Sequence, residues 1–367
     1  MAAASLMKQA TPRVTRAAAL ALGLLLAACT ATEPRVLHLG MEDAPESKRL
    51  MWPPPPEVPR FMYAGQIVGD ANFRRADGEA RGFLRRLAEL IVGEKPPTVL
   101  QRPQAGAVDA NGRILVTDAS RQAVFVFDAA AGDLKVWDKA DGLANFITPV
   151  GIAAGPDGEI LVADAQLGIV ARLDSKGNPG RAIGRGVLKR PTGLAYDAAR
   201  RRIFVADTHA HDIKVFDDDG RLLKVIGRHG EGAGEFNFPT FLAFARGELY
   251  VTDTMNSRVQ VFADGGDRWR LSFGRRGLYV GNLVRPKGVT VDSDGNIYVV
   301  ESYHDHLLVF NREGDFLMAI GGLGQETGRF YLPAGVWADS RNRVFVADMF
   351  NGRVVVFQYL ETGGEGG

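Results

Sequence analysis

The chain has 367 residues, 46% of them hydrophobic, and its 44 Lys and Arg nearly balance its 43 Asp and Glu. This balance gives no global signal for a nucleic-acid partner, which would favour a basic chain. The single cysteine, Cys29, excludes a disulfide within the chain and a metal site built from several thiolates.

The amino-terminal segment has the features of an export signal in the expected order. Basic residues come first: Lys8, Arg13 and Arg16. An uninterrupted apolar run over residues 17–28 follows, too short for a permanent membrane span. It ends in "LAAC" (26–29), which resembles the lipobox of bacterial lipoproteins, where the cysteine is acylated and becomes the first residue. We predict a signal peptide over 1–28 and lipidation of Cys29. The alternative is an ordinary secretory signal with a chance cysteine.

Residues 29–59 are predicted to form a lipidated, proline-rich tether. The stretch "MWPPPPEVP" (51–59) contains four consecutive prolines, which favour an extended, semi-rigid spacer. Thr30, rather than aspartate, follows the cysteine. By analogy with enterobacterial sorting, this favours an extracytoplasmic protein anchored to the outer membrane. Export also argues against a nucleic-acid partner.

A repeat of 42 to 48 residues organises the rest of the chain. Clear copies are "RPTGLAYDAARRRIFVADTHAHDIKVFD" (190–217) and "RPKGVTVDSDGNIYVVESYHDHLLVFN" (285–311). The recurring marker prolines are Pro103, Pro149, Pro191, Pro239, Pro286 and Pro333. Short β-branched runs separated by Gly, Asp and Asn turns predict four strands per copy, named a to d. A repeat of this length is typical of a propeller blade.

The sixth copy lacks a strand d, because it ends with "VVVFQYL" (354–360). Residues 61–68 precede the first copy and resemble the d strands of other copies. We predict that they complete the sixth blade and so close the ring without a free edge. The alternative is an extension without partners. The propeller is predicted to span 60–360, with a flexible tail at 361–367.

The motifs "DTMNSRVQVF" (253–262) and "DMFNGRVVVF" (348–357), each after a Pro-x-Gly or similar strand a, resemble the NHL-repeat family. The second copy departs most, with "DAQLGIVARL" (164–173). The resemblance covers roughly residues 60–358. It implies an all-β, six-bladed propeller with four-stranded blades.

One helix is predicted as an insertion over about 77–95. Its apolar residues recur at helical spacing: Phe83, Leu84, Leu87, Leu90 and Ile91. The helix is either a packed structural element or a lid or docking element on the propeller face.

Two pairs of histidines stand in the b-to-c loops: His209 and His211, then His304 and His306. The pairs are out of phase with each other and belong to blades 3 and 5. A metal site needs three or four ligands within about 2.2 Å of one ion, so we interpret these residues as solvated loop histidines and keep them only as weak metal candidates.

An acid ends strand b in every copy: Asp118, Asp164, Asp207, Asp253, Glu301 and Asp348. Because every blade has one, we predict that it accepts backbone N–H groups where strand b turns towards strand c. A ring of carboxylates for metal or acid–base chemistry is the alternative.

The central channel is where enzymes of similar fold carry their chemistry. In gluconolactonase-like enzymes and in amidating lyases, which resemble the NHL family, metal ligands converge there. The residues after the marker prolines are Gln104, Val150, Thr192, Thr240, Lys287 and Ala334. No strand a contains Asp, Glu or His before its terminal turn, so we predict no catalytic residue, metal or cofactor.

The face bearing the d-to-a linkers and b-to-c loops is predicted to be basic and partly apolar. Its candidate partner-binding residues are Arg185, Arg190, Arg228, Arg258, Arg275, Arg276, Tyr303, Arg329, Phe350 and Arg353. Such a face attracts acidic partners. We predict a monomeric, lipid-anchored binding or scaffold module that recognises an envelope protein or an acidic polysaccharide. The alternative is a metal-dependent hydrolase or lyase with its site in the channel.

Overall fold

The computed structural model describes residues 35–41, 45, 49–75 and 97–360. Within these ranges the regular structure is β-strand, apart from short 3-10 turns at Asp70–Asn72, Pro156–Gly158, Thr254–Asn256 and Met349–Asn351. No helix in this part is long and apolar enough to cross a membrane. The predicted signal peptide, Cys29, the predicted helix at 77–95 and the tail at 361–367 lie outside the described residues.

Six antiparallel sheets form the blades, each starting with strand a. Blade 1 consists of Pro103–Val108, Ile114–Asp118, Ala123–Asp128 and Asp133–Trp137. Blade 2 consists of Pro149–Ala154, Ile160–Asp164 and Ile169–Leu173. Blade 3 consists of Pro191–Asp197, Arg202–Asp207, Asp212–Asp217 and Leu222–Ile226. Blade 4 consists of Pro239–Ala245, Glu248–Asp253, Arg258–Ala263 and Arg268–Phe273.

Blade 5 consists of Pro286–Val291, Ile297–Glu301, His306–Phe310 and Phe316–Gly321. Blade 6 consists of Val336–Ala338, Arg343–Asp348, Arg353–Tyr359 and Phe61–Ile67. Five further strands of the described residues lie at the periphery or in linkers: Arg35–Leu37 pairs with Phe73–Arg75, Lys139–Asp141 pairs with Ala144–Asn145, and Met51–Trp52 lies outside Phe61–Ile67.

The fold is an all-β, six-bladed propeller, as predicted. Strand a of each blade contacts strand a of the next, and blade 6 contacts blade 1 in the same way. Strands b and c are buried along almost their whole length, for example Ile114–Asp118 and Ala123–Asp128. Neighbouring sheets therefore cover both faces of each blade, which explains why the inner strands read as continuous apolar runs.

The amino-terminal strand closes the ring, and this prediction is confirmed. Phe61–Ile67 runs antiparallel to Arg353–Tyr359, with Ile67 opposite Val354 and Phe61 opposite Tyr359. The alternating burial of Phe61, Tyr63 and Ile67 places every second side chain in the core. Closure therefore joins a segment that precedes blade 1 to the last strand of the described chain through backbone hydrogen bonds.

The tether prediction is wrong for the part of 29–59 that the structure describes. Met51–Trp52 adds a fifth strand to blade 6 beside Phe61, and Trp52 packs edge-on against Phe357 at 5.4 Å between ring centroids. Arg35–Leu37 pairs with Phe73–Arg75, and Arg35 contacts Asp133 at 2.9 Å. Packing on the propeller removes the apolar surface of Trp52 from water, which stabilises the packed segment relative to a free spacer.

Blade 2 is the irregular blade, in agreement with its divergent sequence. Its outer strand is replaced by two isolated bridges, Val170 to Ile183 and Leu173 to Pro179. Pro179 has no N–H to donate to a strand ladder, so this segment follows the blade edge without forming a regular strand.

The inner strands approach each other closely at the linker-bearing face. A Cβ on Gly151 would lie 2.0 Å from the Thr192 carbonyl oxygen, and one on Gly193 would lie 2.6 Å from the Thr240 carbonyl oxygen. Glycine is needed here because adjacent backbones leave no room for a side chain. Further along strands a, the channel widens into a cavity of about 240 Å³.

Candidate functional site

The linker-bearing face is built on the recurrent acids, and their predicted backbone-accepting role is confirmed. In blade 1, one oxygen of Asp118 accepts the N–H groups of Gln101 and Arg102 at 2.6 and 3.0 Å. The other accepts those of Ser120 and Arg121, both at 3.0 Å. The other strand-b acids also accept linker N–H groups, and Asp164 and Glu301 accept an N–H of the loop after strand b as well, which extends the prediction.

Threonines on this face link neighbouring blades, a role that the sequence analysis missed. Thr208 and Thr254, directly after the strand-b acid, donate to the carbonyls of Pro239 and Pro286 at 2.7 and 2.8 Å. Thr117 similarly donates to the Val150 carbonyl at 2.6 Å. The recurrence of threonine directly after the strand-b acid, as in Asp207–Thr208 and Asp253–Thr254, is the sequence feature that could have predicted this link between blades.

Two of the predicted partner-binding arginines are structural. In blade 6, Nε of Arg353 donates to Asp348 at 2.8 Å, and its NH2 donates to the linker carbonyls of Glu326 and Arg329. In blade 4, Arg258 contacts Asp253 at 2.8 Å and also binds two linker carbonyls. Both side chains are largely buried against a fully buried carboxylate. The prediction that they bind a partner is corrected, because the protein itself occupies their donors.

The remaining predicted arginines are exposed or half-buried on this face. Arg228 pairs with Glu235 at 2.9 Å, and Arg185 pairs with Asp141. Arg329 donates to the Gly321 carbonyl, and Arg275 makes a long bond of 3.4 Å to Asn282. Within the described ranges, the side chains of Arg190 and Arg276 contact no acid.

Exposed apolar side chains lie mainly on the blade 4 to blade 6 half of this face. Tyr303 and Phe350 are 58% and 43% exposed, as expected for contact residues. The linker between blades 4 and 5 adds Leu278, Tyr279 and Val280 at 86%, 83% and 60%, and these were not predicted. We call the exposed set of this half the apolar sector; it comprises Met255, Leu278, Tyr279, Val280, Tyr303, Leu323, Tyr331 and Phe350. The other half exposes Leu143 and Val187.

The apolar sector carries unpaired positive charge within it. Arg276 precedes the Leu278–Val280 tip by two residues and is exposed. At the sector edge, the guanidinium of Arg102 lies over the Phe350 ring at 5.0 Å. A large exposed apolar patch beside arginines is typical of a protein-interaction surface.

The histidines of blade 3 form a cluster that is not wholly solvated. His211 lies 4.5 Å from His229 between ring centroids, and its Nδ1 accepts the Phe238 N–H at 3.2 Å. Burial lowers the pKa of His211, and the neighbouring His229 and His209 lower it further. This environment favours a neutral ring, so His211 acts as an acceptor that orders the linker before strand a.

The blade 5 histidines lie apart from this cluster. His304 contacts Tyr303 edge-on, and burial lowers the pKa of His306. In the described part of the chain, no group of three or more His, Cys, Asp or Glu side chains could hold a metal ion. Among the described residues, the pairs His209–His211 and His304–His306 are therefore not brought together.

The channel cavity is lined by strand a residues of small or apolar type, including Ala105, Ile152, Leu194, Phe241 and Trp337. Among the described lining residues there is no carboxylate or imidazole. At its linker-bearing end, burial lowers the pKa of Lys287, and Arg285 adds to this effect.

Comparisons with known proteins agree on the architecture. A model of the DUF5128 family, described as a 6-bladed beta-propeller, matches residues 196–263 and 282–363. The chain is 32% identical over 139 residues to the protein brain tumor of Drosophila melanogaster; the match covers 37% of this chain and 13% of that protein. The chain thus spans a small part of this curated relative.

Solved structures are similar at low sequence identity. The virginiamycin B lyase of Staphylococcus aureus is 14% identical with a TM-score of 0.52, over 71% of this chain and 96% of that chain. A gluconolactonase of Xanthomonas campestris is 18% identical with a TM-score of 0.55, over 71% and 87%. A protein of unknown function from Bacteroides thetaiotaomicron is 15% identical with a TM-score of 0.56, over 72% and 71%. At such identities the likeness shows the fold alone: the chain is a six-bladed β-propeller.

Proposed function

We propose that this propeller is a lipid-anchored, extracytoplasmic binding module whose linker-bearing face recognises an acidic protein partner. The observation that carries the proposal is the apolar sector, in which Leu278, Tyr279 and Val280 are exposed beside the unpaired Arg276. Aromatic and aliphatic anchors with arginine are the side chains that dominate protein interfaces. They favour a protein over an acidic polysaccharide, which would use polar and charged contacts.

The path of the amino-terminal segment supports an orientation for this module. Arg35 binds Asp133, which begins strand d of blade 1 at the face opposite the linkers. Arg35 lies six positions after Cys29, and six extended residues reach at most about 20 Å. A lipid on Cys29 would therefore hold the opposite face near the membrane, leaving the apolar sector directed away from it.

The enzyme alternative receives less support from the described residues. The similar lyase and gluconolactonase share the fold, but the likeness carries no activity to this chain. Apart from the hydroxyls of Tyr196 and Thr290, the described channel wall offers apolar and backbone groups, whereas a hydrolase or lyase needs an activated nucleophile, a base or metal ligands.

Site-specific photo-crosslinking in cells tests the binding surface. A photo-reactive residue replaces Tyr279 in one variant and Glu313 in the control; Glu313 is also exposed, in blade 5, on the opposite rim. We expect a discrete protease-sensitive adduct from position 279 only, reduced by Arg276→Glu. Identical adduct patterns at both positions would overturn the proposal, and a protease-resistant adduct would identify a polysaccharide instead.

The anchor has its own test. Cys29→Ser is expected to abolish lipidation and to move the protein from the membrane fraction to the soluble fraction. A variant that is processed normally and stays in the membrane fraction would contradict the lipid anchor without affecting the binding surface.

A further inference from the structure

Arginine precedes the marker proline in every second blade. Arg102, Arg190 and Arg285 stand directly before Pro103, Pro191 and Pro286, whereas blades 2, 4 and 6 have Thr148, Phe238 and Leu332 there. The three arginines are equivalent in backbone geometry. Their N–H groups donate to the strand-b acids Asp118, Asp207 and Glu301 at 3.0, 2.7 and 3.0 Å.

These arginines stand at the linker-bearing ends of three alternate innermost strands. Each directly precedes a strand a, and strands a are the innermost strands of the ring. Lys287, directly after Pro286, adds a fourth cation at this end. We call Arg102, Arg190, Arg285 and Lys287 the cation ring.

No carboxylate neutralises the cation ring in the part of the chain that the structure describes. The carboxylate oxygens of the nearby strand-b acids accept backbone N–H groups, and Asp207 additionally binds Lys214 at 2.8 Å. The side chains of Arg190, Arg285 and Lys287 have no hydrogen-bond or ion-pair partner among described residues. Arg102 contacts only the face of Phe350.

The electrostatic state of Lys287 supports the same conclusion. The amine is partly buried at the channel entrance, and burial lowers its pKa, with Arg285 lowering it further; no acid opposes this effect. A buried cation next to another cation is costly without an anion. A bound anion would offset this cost and favour the charged lysine.

Neighbouring strands a pack tightly beside the cation ring, because glycines bring adjacent backbones into contact, as at Gly193 beside Thr240 and at Gly288 beside Val336. The Thr192 hydroxyl and the Gln104 amide already contact the Thr240 carbonyl and the Met349 sulfur. The arginine and lysine side chains are therefore the groups at this end that remain open to a ligand.

We propose that the cation ring is a binding site for a polyvalent oxyanion of the phosphate class, either free or at the end of a larger molecule. Up to four positive charges exceed what one carboxylate neutralises, and arginine forks bind phosphate oxygens in pairs. The site goes beyond the proposed protein-binding function, because it takes a small oxyanion at the starts of strands a, where only Arg102 borders the apolar sector.

Calorimetric titration of the full chain in neutral detergent tests the proposal. The probes are inorganic phosphate, inorganic pyrophosphate and glucose 6-phosphate; comparable binding of the sugar ester would show that a phosphate end group suffices. We expect saturable binding that Arg285→Gln and Lys287→Met each weaken by about tenfold. The matched control Arg276→Gln removes one exposed arginine outside the ring and changes the Kd by less than about twofold.

Proton linkage supplies a readout that general charge attraction does not. As the pH is raised through the lowered pKa of Lys287, binding should take up a proton on this amine, seen as a heat that varies with the ionisation enthalpy of the buffer. Lys287→Arg should keep the binding and lose the proton uptake. Absence of saturable binding, or equal binding by all variants including Arg276→Gln, would overturn the site. Crosslinking at Tyr279 would still report on the partner surface separately.

Discussion

Loss of the Arg353 side chain should destabilise the propeller at its seam. Arg353 is 10% exposed and its partner Asp348 is fully buried. The guanidinium binds Asp348 and two linker carbonyls, and its NH1 donates to Gln66 of the closing strand at 3.0 Å. In Arg353→Met the buried carboxylate would keep only the Tyr331 N–H and the Asn351 amide.

The expected loss is large because a buried charge is left without its counter-ion. Burial already raises the pKa of Asp348, and hydrogen bonds from Tyr331, Asn351 and Arg353 oppose this effect. Breaking such a pair costs about 3–5 kcal/mol. Equilibrium unfolding in urea, followed by tryptophan fluorescence, measures the loss.

Matched variants separate the seam from the buried pair. Arg258→Met removes the same contacts to a buried acid, Asp253, without touching the closing strand, so its loss should be similar or smaller. Arg276→Met should change the free energy of unfolding by less than about 0.5 kcal/mol. The double variant Arg353→Met, Asp348→Asn should recover part of the loss, because no unpaired charge remains. If Arg353→Met costs no more than Arg276→Met, the reasoning fails.

Three further predictions test blade contact, the amino-terminal strand and the histidine cluster. Gly193→Ala should lower the free energy of unfolding by about 1–3 kcal/mol, because the added methyl group overpacks the inner strands. Gly180→Ala is the control and should be neutral, since the nearest atom to its Cβ would be 3.6 Å away. Equal effects of the two substitutions would contradict the close approach of the inner strands. Trp52→Ala should cost roughly 1–3 kcal/mol and the exposed Val58→Ala close to nothing; a free tether would make both silent. Because burial lowers the pKa of His211, its contribution to stability is complete above the ordinary histidine pKa and is lost as the pH falls through that range towards the folded value. Urea titrations should therefore show that His211→Gln loses less stability than the parent between about pH 8 and pH 5; parallel losses would refute this.

The repeat made the fold and the role of the acids predictable, because a residue needed by every blade recurs in every blade. Asp118 and Glu301 differ in type yet both accept backbone N–H groups. The closing strand was predictable for a related reason: residues 61–68 have the pattern of a d strand, and the sixth copy lacked one. Periodicity thus specified the ring and its closure.

The sequence predictions were wrong where a side chain or segment could either face solvent or pack against a surface of the propeller. An arginine such as Arg353 reads as exposed in a loop, yet it is the first residue of strand c and lies opposite the strand-b acid in register. The spacing of five residues between Asp253 and Arg258, and between Asp348 and Arg353, was the available signal. The residues around Trp52 were predicted to form a tether because their prolines indicate a stiff backbone. Proline content does not indicate whether the segment packs against another part of the fold, as Trp52 does on blade 6.

The positive character of the linker-bearing face follows from how the propeller uses its carboxylates, since the chain as a whole is nearly neutral. The acids at this level are fixed under backbone N–H groups or beside internal cations such as Lys214 and Arg258. Cations that reach those acids became structural, and those that do not, such as Arg190, Arg276 and Lys287, are free to meet a ligand. To identify binding residues on a propeller, one must therefore first exclude the cations whose side chains bind the linkers. The comparison of Arg353→Met with Arg285→Gln measures this distinction directly: the first should lower stability, and the second should lower phosphate affinity at unchanged stability.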